Sequence, residues 1–224
     1  MSIFGTPVVA GVNVYPNPPA NTGTFNTNVG DLIIGWCGSV FGSPGAVTCS
    51  DLAGNTFTAL TQRGSGGSNV GRFFYCLAAT NANASNYLTV NTGSGGVIAY
   101  AYAWNVSLTG GTAAYDFDTD FSALASSPST SPTYSATGSD ELIVSVVCDV
   151  SRGDSFTAGT GFTATADTGG SFPGGQRSEY QITSSPGSSA GWSWSSGSTC
   201  QIMALGFKAA APPKPSGTIV VIMG

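Results

Sequence analysis

Ile98-Ala99-Tyr100-Ala101-Tyr102-Ala103-Trp104-Asn105-Val106-Ser107-Leu108 decides the fold class. Large and small residues alternate, and a period of two is the pattern of a β-strand. Ile98, Tyr100, Tyr102, Trp104, Val106 and Leu108 form one face, and Ala99, Ala101, Ala103 and Asn105 form the other. The large face is predicted to fill a core, and the alanine face to let a neighbouring backbone or subunit approach closely. An exposed aromatic strip for sugar stacking fits less well, because Val106 and Leu108 continue the same row.

No stretch of the 224 residues carries a helical period. Strand-like segments are read at 7–14, 25–37, 46–50, 56–62, 70–79, 86–92, 96–108, 113–118, 132–137, 140–150, 161–167, 176–184, 189–195 and 199–209. Thirty-two glycines and twelve prolines provide the turns between them. One turn is Asp51-Leu52-Ala53-Gly54-Asn55. Gly30-Asp31-Leu32-Ile33-Ile34-Gly35-Trp36 is echoed by Asp140-Glu141-Leu142-Ile143-Val144-Ser145-Val146. Each is an acidic turn followed by a nearly continuous apolar run, the pattern of a strand buried on both faces. The expected fold is all-β: a two-sheet antiparallel β-sandwich over residues 1–209, jelly-roll-like, with related halves.

Composition changes after Lys208. Residues 210–217 read as a proline-stiffened linker. Residues 218–224 follow as an uncharged strand of high β-propensity. Such a strand is used by adding to a sheet edge, so Ile219, Val220, Val221, Ile222 and Met223 are the candidate assembly interface.

Charged residues make up 8% of the chain, against about a quarter in an average soluble protein. The surface is therefore built from Ser, Thr, Asn and Gly, as in exterior proteins. Net charge is −5, and the six basic residues, Arg63, Arg72, Arg152, Arg177, Lys208 and Lys214, are scattered. Nucleic-acid binding needs clustered cations, so it is not expected. No apolar run reaches the roughly 20 residues of a membrane span. The first residues lack the basic and apolar regions of a signal peptide. An exterior-style surface without a signal fits a virion protein.

Histidine is absent, which removes the commonest general base and metal ligand. The two glutamates, Glu141 and Glu179, read as a turn residue and part of a solvated row with Arg177 and Gln181. No catalytic residue and no cofactor are expected. Asp116, Asp118 and Asp120 are the candidate metal ligands, for calcium. The EF-hand pattern fails, with Phe121 where Gly belongs and Ser127 where Glu belongs. The competing reading has these aspartates facing solvent while Tyr115 and Phe117 turn inward. Trp192 and Trp194 share a face and are candidate sugar contacts, although such pairs more often fill a core. Of the five cysteines, Cys37, Cys76, Cys148 and Cys200 lie in apolar runs and are read chiefly as small buried hydrophobes, with disulfides as the alternative, among them a Cys37–Cys49 bridge. Asn83 and Asn105 head formal glycosylation sequons.

Seven motifs occur in order: Gly-Asp-Leu-Ile-Ile at 30–34, Val-Thr-Cys-Ser-Asp-Leu-Ala-Gly-Asn-Thr-Phe-Thr at 47–58, Arg-Phe-Phe-Tyr-Cys-Leu-Ala at 72–78, Ala-Tyr-Ala-Trp at 101–104, Asp-Glu-Leu-Ile-Val at 140–144, Ala-Gly-Thr-Gly-Phe-Thr at 158–163 and Met-Ala-Leu-Gly-Phe-Lys at 203–208. Together they resemble Gly/Ser/Thr-rich β-sandwich domains of secreted bacterial proteins and phage structural proteins. The resemblance implies a non-catalytic bacteriophage structural protein of capsid-decoration or head-fibre type, located in the virion. Its partners would be copies of itself or a capsid protein, with a host-surface glycan as a further candidate. The alternatives are a secreted carbohydrate-binding or adhesive module, extracellular or at the cell surface, and a subunit of a self-assembling surface filament.

Overall fold

The acidic turns before Leu32 and Leu142 start the middle strands of two large sheets. In the computed structural model the described residues are 1–14, 19–40, 45–63, 69–92, 98–124, 133–149, 156–165, 176–194 and 199–211. The first half contributes β1 (Val8–Val14), β2 (Ala20–Asn21), β3 (Phe25–Thr27), β4 (Leu32–Val40), β5 (Thr48–Asp51), β6 (Thr58–Ala59), β7 (Asn69–Leu77), β8 (Ala82–Asn86), β9 (Leu88–Asn91) and β10 (Ile98–Val106). The second contributes β11 (Ala113–Leu124), β12 (Glu141–Asp149), β13 (Phe156–Thr157), β14 (Thr163–Ala164), β15 (Gln176–Thr183), β16 (Ser193–Trp194) and β17 (Thr199–Ala209). One five-stranded antiparallel sheet has the order β1-β10-β4-β7-β6, and the other β11-β17-β12-β15-β14. The described residues are all-β.

The continuous apolar runs are buried on both faces, as their composition requires. Leu32, Ile34 and Trp36 of β4 meet Leu142, Val144, Val146 and Cys148 of β12 in the central core. Tyr100, Tyr102, Trp104 and Val106 lie in the same core, each fully buried. Ile33 and Cys37 point the other way, beneath small sheets formed by β2-β9-β5 and β3-β8. The alanine face of β10 is covered there too, with Ala101 packed near Val90 and Ala103 near Leu88. Val147 and Ile202, on the outer face of the second sheet, lie under the β13-β16 pair.

The two halves repeat one connectivity. In each sheet the first strand of that half lies at one edge. The second lies in the middle, the third is a two-residue strand at the far edge, and the fourth sits beside it. The fifth returns between the first and second. Register repeats as well. Thr58 pairs with Tyr75 and Ala59 with Phe74, as Thr163 pairs with Tyr180 and Ala164 with Glu179. Leu32 pairs with Leu77 and Val106, as Leu142 pairs with Ile182 and Phe207. Ala53-Gly54-Asn55-Thr56-Phe57-Thr58-Ala59 recurs as Ala158-Gly159-Thr160-Gly161-Phe162-Thr163-Ala164, and Arg72 and Tyr75 recur as Arg177 and Tyr180. Both arginines hold outer-layer carbonyls: Arg72 donates to Leu60 and Val47 at 2.7 and 3.0 Å, and Arg177 to Phe156 at 2.6 Å.

The expected facing sheets with related halves are thus present. The expected jelly-roll connectivity is not what the described strands display, since each large sheet draws all five strands from one half of the chain. Other segments differ in extent. The segment 25–37 is split by a turn at Gly30, whose φ is +91°. The strand expected at 113–118 runs on to Leu124, and the described part of 132–137 contributes a bridge from Thr133 to Ser189. The strand expected at 218–224 and its linker from residue 212 lie outside the described residues.

Candidate functional site

Trp192 and Trp194 face inward, at 0% and 5% exposed. Trp192 packs edge-on to Phe156, and its indole N–H donates to Ser145 Oγ at 2.8 Å. They form the layer over the outer face of the second sheet with Phe156 and Ala190. The sugar-contact expectation is corrected: burial leaves neither ring a face for a ligand. The alternation Trp-Ser-Trp was legible, but the outer layer that covers it was not.

The three aspartates do not converge. The pairing of β11 with β17 shifts register between Tyr115 and Phe117, so Asp116 is the extra residue of a bulge. Its carboxylate takes Lys208 Nζ at 2.7 Å and Thr137 N–H at 2.7 Å. Asp118 instead takes Arg63 Nε and Nη2 at 2.9 and 2.6 Å, and the Tyr115 hydroxyl. Both carboxylates are spoken for by cations. Their side chains are 2% and 12% exposed, which corrects the solvent-facing reading. Nothing is described of the Asp120 side chain. Among the described residues no group of three or more Cys, Asp or Glu is placed to hold a metal ion.

Neither glutamate is where the sequence pattern put it. Glu179 is fully buried and accepts the Gly159 N–H at 2.8 Å. Its row looked solvated because Arg177, Glu179 and Gln181 are all polar. The 158–162 turn covers that row, and a Cβ on Gly159 would lie 1.8 Å from the Ala190 carbonyl. Burial pushes Glu179 up to about 8, against a smaller opposing effect of the Gly159 bond. Glu141 is also fully buried, with Gly138 N–H on Oε1 at 2.5 Å. Burial first, and then the neighbouring Asp116 carboxylate, raise it to about 7 against the opposing effects of the Gly138 N–H and Lys208.

Glu141, Asp116, Lys208 and Thr137 therefore form one cluster on the outer face of β12, β17 and β11. Glu141 and Lys208 are direct cross-strand partners. Lys208 Nζ also reaches Thr137 Oγ1 at 2.6 Å. Burial raises Asp116, but the hydrogen bonds from Lys208 and Thr137 outweigh it and hold the carboxyl below its ordinary range. The cluster places an amine, a carboxylate and a carboxyl whose affinity for a proton is raised within contact of one another. The sequence signal was Lys208 opposite an acidic turn, but the bulge that brings in Asp116 left no readable mark.

The equivalent region of the first half holds a chain of buried amides instead. Asn105 Nδ2 donates to Asp31 Oδ2 at 2.9 Å, and Asn86 Nδ2 donates to Thr27 Oγ1 and Asp51 Oδ2, each at 3.0 Å. Asp51 also accepts from the Asn55 amide at 2.7 Å. Asn105, the head of a sequon, is 6% exposed and committed to this network; Asn83 is exposed. All five cysteines are free, four of them buried, so the Cys37–Cys49 alternative does not occur. Burial pushes the Cys37 thiol up to about 12. The assembly residues Ile219, Val220, Val221, Ile222 and Met223 lie outside the described residues.

The chain matches no family model, no curated protein and no solved structure.

Proposed function

We propose that this protein is a non-catalytic structural component of a bacteriophage particle, of capsid-decoration or head-fibre type. It presents an uncharged polar surface and joins neighbours by strand addition. The observation that carries this reading is the contrast between the two long edge strands. Among the described residues β1 pairs only with β10, and β11 only with β17. An open edge invites pairing with another chain unless charge or a bulge blocks it. β11 has one of these safeguards, a bulge at Asp116. β1 has neither: Val8-Val9-Ala10-Gly11-Val12-Asn13-Val14 is uncharged, and Val8 is 53% exposed. Its occupant is the uncharged segment 218–223 of a second copy, carried on a linker of about 25 Å if extended as polyproline.

The virion setting is tested by fractionating a producing culture on a density gradient. The protein co-sediments with DNA-containing particles if the reading holds. Recovery solely as a free secreted chain that binds polysaccharide would overturn it in favour of the adhesive module.

A further inference from the structure

The geometry points to an intramolecular amide bond between Lys208 Nζ and Asp116 Cγ, formed by the protein itself with Glu141 as the proton relay. This inference is independent of the particle reading. It starts from the fold. Lys208 lies on the last strand of the second half, Asp116 on the first, and Glu141 on the strand between β17 and β15. The bulge frees Asp116 from a cross-strand partner and lets its carboxylate reach Lys208. Thr137 clamps the carboxylate through its N–H and its hydroxyl. Amine and carboxyl are thus held as a near-attack pair, and such positioning is worth effective molarities of about 10⁵–10⁸ M.

Glu141 supplies what an ordinary ion pair lacks. Its Oε2 is buried and has no hydrogen-bond partner among the described residues. A hydrogen bond to the adjacent Asp116 forms once Glu141 carries a proton, and burial favours that protonated state. The surroundings are partly dry. Phe117, the residue after Asp116, stacks on Tyr134 with ring centroids 4.5 Å apart, and the Asp116 side chain is 2% exposed while that of Lys208 is 34% exposed. Removing water weakens the hydration that otherwise keeps ammonium and carboxylate apart as ions.

The step balances without a co-reactant. Glu141 gives its proton to an Asp116 oxygen and takes one from the Lys208 nitrogen. The nitrogen lone pair attacks Cγ, the Nζ–Cγ bond forms, and the Cγ–O bond breaks. The departing oxygen leaves as water with the two remaining protons, and Glu141 ends as it began. Ammonium plus carboxylate becomes amide plus one water, with no change in oxidation state. The product ties β11 to β17 across 92 residues of chain. A cross-link of that span restricts the unfolded chain and leaves the edge strand unable to peel away.

The test is the intact mass of the full chain under denaturing conditions after incubation at neutral pH. The expected mass is one water below that of the sequence, and digestion yields one branched peptide joining Asp116 to Lys208. Lys208→Arg and Asp116→Ala keep their full sequence masses. Asp116→Asn reaches the same amide by losing ammonia instead of water. Glu141→Gln, isosteric but unable to relay a proton, stays folded by circular dichroism and keeps its full mass. A wild-type chain at full sequence mass overturns the bond. A folded Glu141→Gln chain that still loses water overturns the role given to Glu141.

Discussion

Glu179 occupies the position in the second half that Phe74 occupies in the first, paired with Ala164 as Phe74 is with Ala59. Burial there favours the neutral form of the carboxyl. The consequence is a pH dependence with a definite sign. In the unfolded chain Glu179 titrates near 4.5, and in the fold near 8. The fold binds the proton more tightly, so stability is greatest below the unfolded value and is lost as pH rises through about 8. The loss for this one group is on the order of 5 kcal/mol. Glu179→Gln keeps an acceptor for Gly159 and removes the titration. Urea unfolding at pH 5 and pH 9 should show a steep decline for wild type and a shallower one for the variant, with the variant the more stable at pH 9. Equal slopes would contradict the assignment. This residue was not legible in the sequence because a polar row is normally exposed, and only the repeat reveals that it aligns with a buried one. For Trp192 and Trp194 the sequence left sugar contact and core filling both open, because alternation shows that two rings share a face, not which layer covers it.

β10 is the element whose reading survived most completely. Its large face was expected in the core, and Tyr100, Tyr102 and Trp104 are all fully buried there. Trp104 packs against Phe73 and Tyr102, with ring centroids at 6.4 and 5.6 Å. Trp104→Ala should cost about 3–5 kcal/mol, the range for deleting a large buried aromatic, and chemical denaturation measures it. An unchanged midpoint would mean that the row is not core. Strands with a strict period of two or a continuous apolar run were legible because burial alone dictates those patterns. The two-residue strands β2 and β13 were not, since they exist only because the outer faces of the large sheets need covering. The bulge in β11 was equally hidden. It depends on where Lys208 and Thr137 lie in space, 92 and 21 residues away.

The molecule is two copies of one strand order closed face to face, each half giving its inner face to the shared core. The seven-residue echo of 30–36 in 140–146 was the visible trace of that plan. Divergence between the halves has changed their polar centres: buried amides around Asp31 and Asp51 in one, and the Lys208 cluster in the other. It has also left the long edges unequal, β11 interrupted by a bulge and β1 regular. That inequality is the basis of the assembly proposal, in which segment 218–223 of one copy completes the β1 edge of the next. The most direct measurement compares the full chain with a chain ending at Ala211, reading native mass by sedimentation velocity and thermal midpoint in the same samples. The account predicts that the full chain assembles, while the shortened chain is a monomer with a nearly unchanged midpoint. A shortened chain that still assembles, or one that unfolds as a monomer because the segment belongs to its own sheet, would contradict it.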